Sequence, residues 1–386
     1  MGVKRTIGVA IADMSEFVAI DPAYGIGDQR AQVQSAIDHE LEVGGLPPRL
    51  ELGLVFREFS STSIEHKREV ADEFAADEVL AVIGARDFTY GSVRLAEQHG
   101  VPVIDVNAVN RSILARTDPW LFTVRAAQDL VYLTYVEWAH RTRRLTGRRI
   151  GVFSDRYTAY STGVALDRLR SLGYDVADHV TSDGVGVGSD HDREAAERFA
   201  AAGVDLVMPF VSGSSLARVL HWLDHLGRRP TILELETGEH VTDVSGSVMP
   251  EALYEGASAI AMSRVGEVAA GLQLAPAAAA ALDRYEATTG TRLEPTGRES
   301  SGALSNLLMV TDVVAVLLAG LRAAGPAVDR ESLVRGIETI DQMPSASGGR
   351  LSYRPGEHWG CREMREIVWR SGAWHVVGEY ESMVTG

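Results

Sequence analysis

The chain has 386 residues, 45% of them apolar and 23% charged, which is too long for one ordinary core, ample for two, and too apolar for disorder. Its formal charge of −16, from 53 acidic against 37 basic residues, argues against a general binder of nucleic acid or anionic membrane, because both demand a positive surface. No run of about 18 apolar residues goes uninterrupted, so no bilayer-spanning segment is expected, and the single cysteine, Cys361, excludes an intrachain disulfide and a cysteine-based zinc site.

The elements alternate. Residues 7–12 (IGVAIA) read as a buried strand, 29–43 as a helix ending at Gly44-Gly45, 50–56 as a strand, 63–76 as a helix, and 79–83 as a strand closed by Gly84. A helix and a strand over 101–106 follow. After 120–124 the rhythm restarts with a long helix from Ala127. Strands come at 149–153, 175–180, 206–210 and 231–235, separated by helices at 162–172, 192–202 and 214–226. Short strands and helices joined by brief Gly- or Asn-bearing turns mean βαβ units and parallel sheets. Beyond Tyr254 come a strand-like run (257–262), helices at 277–285, 304–323 and 329–337, and short β runs at 350–353, 365–369 and 374–380. The last two, joined by Arg370-Ser371-Gly372-Ala373, read as a hairpin. The arginines at 141, 143, 144, 148 and 149 read as a solvated helix end.

Several strings, in order and spacing, carry a resemblance. Val82-Ile83-Gly84 closes a strand before a polar loop, and Gly100-Val101-Pro102-Val103-Ile104 follows about one helix later. Trp120-Leu121-Phe122-Thr123-Val124-Arg125, Gly151-Val152-Phe153-Ser154-Asp155 with Tyr160 beyond it, and Ala201-Ala202-Gly203-Val204-Asp205-Leu206-Val207 come next. Gly349-Arg350-Leu351-Ser352-Tyr353 and the 369–374 hairpin complete the set. Over nearly its full length the chain resembles the branched-chain amino acid (leucine/isoleucine/valine) substrate-binding family of ABC importers, on the type I periplasmic-binding fold. The resemblance implies two Rossmann-like, doubly wound α/β lobes joined by three crossings, the first from residues 5–123 with 254–338 and the second from 124–253 with 339–386. It implies a non-enzymatic protein that closes on a small polar ligand, an amino acid or amine-containing compound by first expectation, and hands it to a membrane permease if exported. No cofactor, metal, nucleic acid or direct membrane insertion is expected.

Open parallel sheets bind ligands beyond the carboxyl ends of their strands, at switch points, so the loops of interest begin at Asp13, Gly84, Asp105, Ser154, Val211 and Glu234. The family holds the ligand's carboxylate with hydroxyls and backbone N–H groups on the first lobe. Here the loop 85–92 offers Arg86, Thr89, Tyr90 and Ser92. Arg86 either grips a carboxylate bidentately or pairs with Asp87. The loop 106–110 offers Asn107 and Ala108, and Asn107 either meets the ligand or caps the following turn.

On the second lobe Tyr160 falls where the family places an aromatic lid, with Tyr157 as competitor, and Ser212 replaces a second tyrosine. Ser214 reads as a helix N-cap. The family's ammonium anchor corresponds to Glu236, with Glu234 on the same side of the strand; two acids there favour a cationic ligand. Phe17 and Tyr24 either wall the site or pack the loop 13–25.

The run 184–188 (GVGVG) lacks a third glycine at the required offset and the lysine of a phosphate loop, and reads as a connector. Asp190-His191-Asp192 and the His221/His225 pair read as a solvated or packing helix face. There is no hydrolase GxSxG elbow.

The chain goes straight from Met1-Gly2-Val3 into the first strand, without the apolar region and cleavage site of a signal peptide. Two expectations follow: an extracytoplasmic protein whose signal has been removed, or a cytoplasmic one. The second makes the chain a ligand-sensing or regulatory domain on the same fold. A catalyst evolved on the fold, with Glu234 and Glu236 as acid and base, is a third reading.

Overall fold

The computed structural model describes residues 3–20, 25–156, 158–182, 189–211, 213–236, 248–294 and 298–384. They divide into two compact units, Met1–Ala127 with Leu274–Arg362 and Gln128–Gln273 with Glu363–Gly386.

The first unit opens with β1 (Val3–Asp13), α1 (Ser15–Ile20), α2 (Gln29–Gly44), β2 (Leu50–Ser60), α3 (Ile64–Ala76) and β3 (Ala81–Gly84). It continues through α4 (Thr89–Arg94), a π-helical turn (Leu95–His99), β4 (Val103–Asp105), α5 (Arg111–Thr117) and β5 (Leu121–Thr123). The strands are all parallel, in the order β2-β1-β3-β4-β5. Ile7, Val9, Ala10, Ile11 and Ala12 are all buried, as an unbroken apolar run requires when helices cover both sheet faces. Gly8 is obligatory there, because a Cβ would stand 2.7 Å from the Phe74 ring of α3.

The second unit repeats the plan with α6 (Gln128–Arg141), β6 (Ile150–Asp155), α7 (Ala159–Ser171), β7 (Val176–Ser182), α8 (Ser189–Ala202), β8 (Leu206–Phe210), α9 (Gly213–His225), β9 (Thr231–Leu235), α10 (Glu251–Tyr254) and β10 (Ser258–Ala261). Its parallel strands run β10-β9-β8-β6-β7, the same winding as the first unit, with the second strand of each half at one edge. In both sheets the order reverses beside the first strand of the half, and that reversal is the topological switch point.

The chain then returns to the first unit as α11 (Pro276–Thr289), α12 (Arg298–Ala324), α13 (Arg330–Ile337), β11 (Met343–Pro344) and β12 (Arg350–Leu351). By length and composition α12 is apolar enough to cross a membrane, yet 83% of its most apolar window is buried inside the protein. It packs on α2 and α13, and buried Gln32 of α2 donates to Ala303 O and accepts from Asn306 Nδ2. The closing strands β13 (Glu363–Arg370), β14 (Ala373–Val376) and β15 (Glu381–Ser382) extend the second sheet, β13 pairing antiparallel with β10, β14 and β15. The expected hairpin forms, with Arg370 opposite Ala373. Ser371 and Gly372 both take positive φ, 52° and 83°, the geometry of a two-residue turn whose twist matches its strands.

The last two crossings fall after Gln273 and Arg362, later in the chain than the expected 253 and 338. Residues 258–261 hydrogen-bond to β9 and β13 of the second sheet, whereas Trp359 bridges to Thr123 and Gly360 N donates to Thr123 O of the first unit. Backbone pairing settles both placements, and side-chain pattern does not encode it.

Candidate functional site

In the first unit β3 and β4 are neighbours, with Gly84 opposite Asp105, so the loops that follow them emerge side by side at the carboxyl edge of the sheet. Arg86, Thr89, Asn107 and Ala108 are half-buried there, and Tyr90 is exposed. The neighbouring end of β1 is clamped by Gln29, whose side-chain amide accepts from Ala12 N at 3.0 Å and donates to Ala12 O at 2.7 Å.

Beneath these loops lies Asp105, 1% exposed. Its carboxylate accepts from Ser92 Oγ at 2.5 Å, Asn107 N at 2.9 Å and Asn107 Nδ2 at 3.0 Å. Burial pushes the Asp105 pKa up to about 6, against the donors from Ser92 and Asn107 that favour the anion. Two expectations change accordingly. The Ser92 hydroxyl, a candidate for a ligand carboxylate, is bonded to Asp105. Asn107 does not cap the next turn: it closes an Asx turn with Asp105, and because its amide nitrogen faces that carboxylate, the planar amide carries its carbonyl oxygen, an acceptor, on the other side.

Asp87 is paired with Lys67, at 2.8 Å from Nζ to Oδ2. Lys67 is 4% exposed on α3, and Asp87 adopts φ of 46°, a left-handed conformation that Asp tolerates better than most residues. Phe88 next to it is fully buried against Phe59 and Phe74, with ring centroids 5.0 and 6.4 Å apart.

In the second unit Tyr160 lies in the first turn of α7, after β6, with 55% of its surface exposed. Asp155 at the end of β6 accepts from Thr158 N, just ahead of α7, at 2.9 Å. Glu234 and Glu236 bracket the end of β9 and are both buried, at 0% and 2%; a solvated surface charge is not what either of them is. The Glu236 backbone N–H donates to Ile260 O of β10, and its Oε2 accepts from Ser263 N at 2.8 Å, so the side chain is held at the strand's carboxyl end by the turn that leaves β10. Glu234 sits one residue pair deeper and accepts from the Tyr254 hydroxyl, and its Oε2 has no hydrogen-bond partner among the described residues. Burial lifts the Glu234 pKa from 4.5 to about 8.

Tyr24, Tyr157, Ser212 and the run 184–188 lie outside the described residues. Ser214 stands inside the first turn of α9, which begins at Gly213, so it is not the N-cap. Asp192 in the first turn of α8 pairs with Arg218 of α9, and His221 approaches Val248 O at 3.3 Å.

The sequence marks Asp105 only as the start of a loop and assigns no role to Lys67. Lys67 shares the buried face of α3 with Val70, Ala71 and Phe74. A lysine at that spacing, one of only two in the chain, was the available signal.

The chain has the type I periplasmic-binding fold. It superposes on a branched-chain amino acid ABC transporter protein from Thermus thermophilus with bound valine (TM-score 0.73, 15% identity, 99% of this chain and 97% of that one). It also superposes on a leucine-binding protein from Thermotoga maritima (0.70, 17%, 98% of each) and on an ABC transporter solute-binding protein from R. palustris in complex with 4-hydroxybenzoate (0.74, 14%, 99% and 98%). No protein-family profile and no curated protein sequence matches the chain.

Proposed function

We propose that this chain is a solute-binding protein that captures a small polar molecule bearing an ammonium group, an amino acid or another amine, for delivery to an ABC permease on the extracytoplasmic side. The observation that carries the reading is Glu236. It is a carboxylate 2% exposed and oriented by Ser263 N, and it stands at the carboxyl end of β9, on the edge where parallel α/β sheets receive ligands. An ammonium group brought to that strand end meets an oriented carboxylate, and their attraction strengthens as water is excluded. Tyr160 is the ring that covers the ligand. In the first unit Arg86 and Thr89 supply donors for its opposite end, and Asn107 supplies an acceptor through its carbonyl oxygen. Full-length likeness to solute-binding proteins supports the role but leaves the ligand class open, since relatives of the same fold were crystallised with valine and with 4-hydroxybenzoate.

The test is a thermal-shift and calorimetry screen of the purified chain against the twenty L-amino acids, primary amines and hydroxybenzoates. A true ligand raises the melting midpoint by mass action. Amine-bearing compounds are expected to bind, and E236Q is expected to weaken them at least about tenfold, the usual scale for losing a charge-assisted contact. A shift with hydroxybenzoates and none with amines removes Glu236 as the anchor.

A further inference from the structure

Arg86 lies in the loop after β3 and Thr89 opens α4 directly behind it, and the rest of the first unit holds this segment at three points. Phe88 is locked in the core between Phe59 and Phe74. Ser92, one turn along, is tied to Asp105 at 2.5 Å. The third point comes from another element: Lys67 of α3 reaches 20 positions along the chain to Asp87. Its stem is buried and its ammonium lies 5.8 Å from the centre of the Phe59 ring, which adds cation–π attraction. At Gly91 the helices touch so closely that a Cβ would stand 2.7 Å from Lys67 O, so α3 and α4 cannot drift apart without losing this pair.

A buried lysine is a costly choice for packing alone. Here it serves geometry. Asp87 holds a positive φ of 46°, and the non-glycine residue pays strain for it. That turn sends Arg86 and Thr89, on either side of Asp87 and buried Phe88, to the sheet edge. We propose that Lys67 is a positioning residue: by fixing Asp87 in its left-handed turn it preorganises Arg86 and Thr89 for the ligand end that the first unit receives. The inference rests on the ligand-holding role of this loop set out above.

Two measurements on the full chain test it. Hydrogen exchange compares the wild type with K67M, which keeps the buried stem and removes the charge, and with K67R, which restores a cation. K67M is expected to speed exchange at 85–92 while peptides from β1 and α12 keep wild-type rates, and K67R is expected to recover part of the protection. For the compound in the screen that gives the largest thermal shift, K67M is expected to weaken affinity about tenfold, with K67R between the two. Unchanged exchange at 85–92, or faster exchange spread evenly over α3 and the sheet, overturns the proposal. So does wild-type affinity in K67M. If the wild type itself binds nothing in the screen, the solute-binding reading fails, and the exchange pattern still decides whether Lys67 pins the loop.

Discussion

At the scale of single residues, the least expected feature is the pair of buried acids at the end of β9. Glu234 is protonated by its surroundings: burial outweighs the Tyr254 hydroxyl that donates to it, and its pKa stands at about 8 against an ordinary 4.5. A raised acid keeps its proton in the folded chain where the unfolded chain has already released it. Its contribution to stability is therefore full below about 4.5 and is lost as pH climbs through about 8. E234Q mimics the neutral form and keeps an acceptor for Tyr254. Its melting midpoint is expected to match the wild type at the acid end and to exceed it progressively from about pH 5 to about pH 9, by up to a few kcal/mol in stability. A gap that stays constant across that range would show that Glu234 is ionised throughout. The alternation of acids along the strand was legible in LELE; their burial was not, because it depends on Tyr254 and on the turn after β10.

At the scale of elements, the βαβ repetition and the parallel sheets followed from apolar runs and turn residues, since strand and helix periods differ and Gly marks the stops, while the winding was implied by the family resemblance. What the pattern does not carry is close approach between helices. Gly336 of α13 lies so near α12 that a Cβ would stand 2.3 Å from Gly320 O, an atom of rigid backbone. G336A is expected to destabilise the chain by about 1–3 kcal/mol, the cost of overpacking, measured by urea unfolding. G163A in α7, where nothing lies within 4 Å of the added atom, is expected to stabilise by about 0.5–1 kcal/mol through helix propensity alone. Equal effects at the two sites would sink the contact argument.

At the scale of the whole molecule, each unit is assembled from separated segments, and the second depends on the last 24 residues that follow Arg362. These bring β13 alongside β10 and carry Trp369 and Trp374, buried at 2% and 0%, into the core beside Tyr254. Residues 128–273 alone are expected to show no cooperative thermal transition, because the core lacks two indoles and β10 loses its neighbour; each large aromatic is worth about 3–5 kcal/mol. Joining 363–386 to that fragment through a flexible linker is expected to restore a single sharp transition by circular dichroism. Cooperative melting of 128–273 by itself would show that the closing strands are dispensable.

The amino-acid order alone determined the α/β class, the repeated strand–helix rhythm, the terminal hairpin and the loops at the carboxyl ends of the strands, because local periodicity and turn residues are properties of neighbours in the chain. Only the tertiary structure decided that β10 and β13 join the second sheet, that Glu234 and Glu236 are buried, that Ser92 and Asn107 answer to Asp105, and that Lys67 reaches Asp87. Those outcomes turn on backbone pairing and on charges brought together from distant positions, and their energies depend on how much water the fold leaves around them.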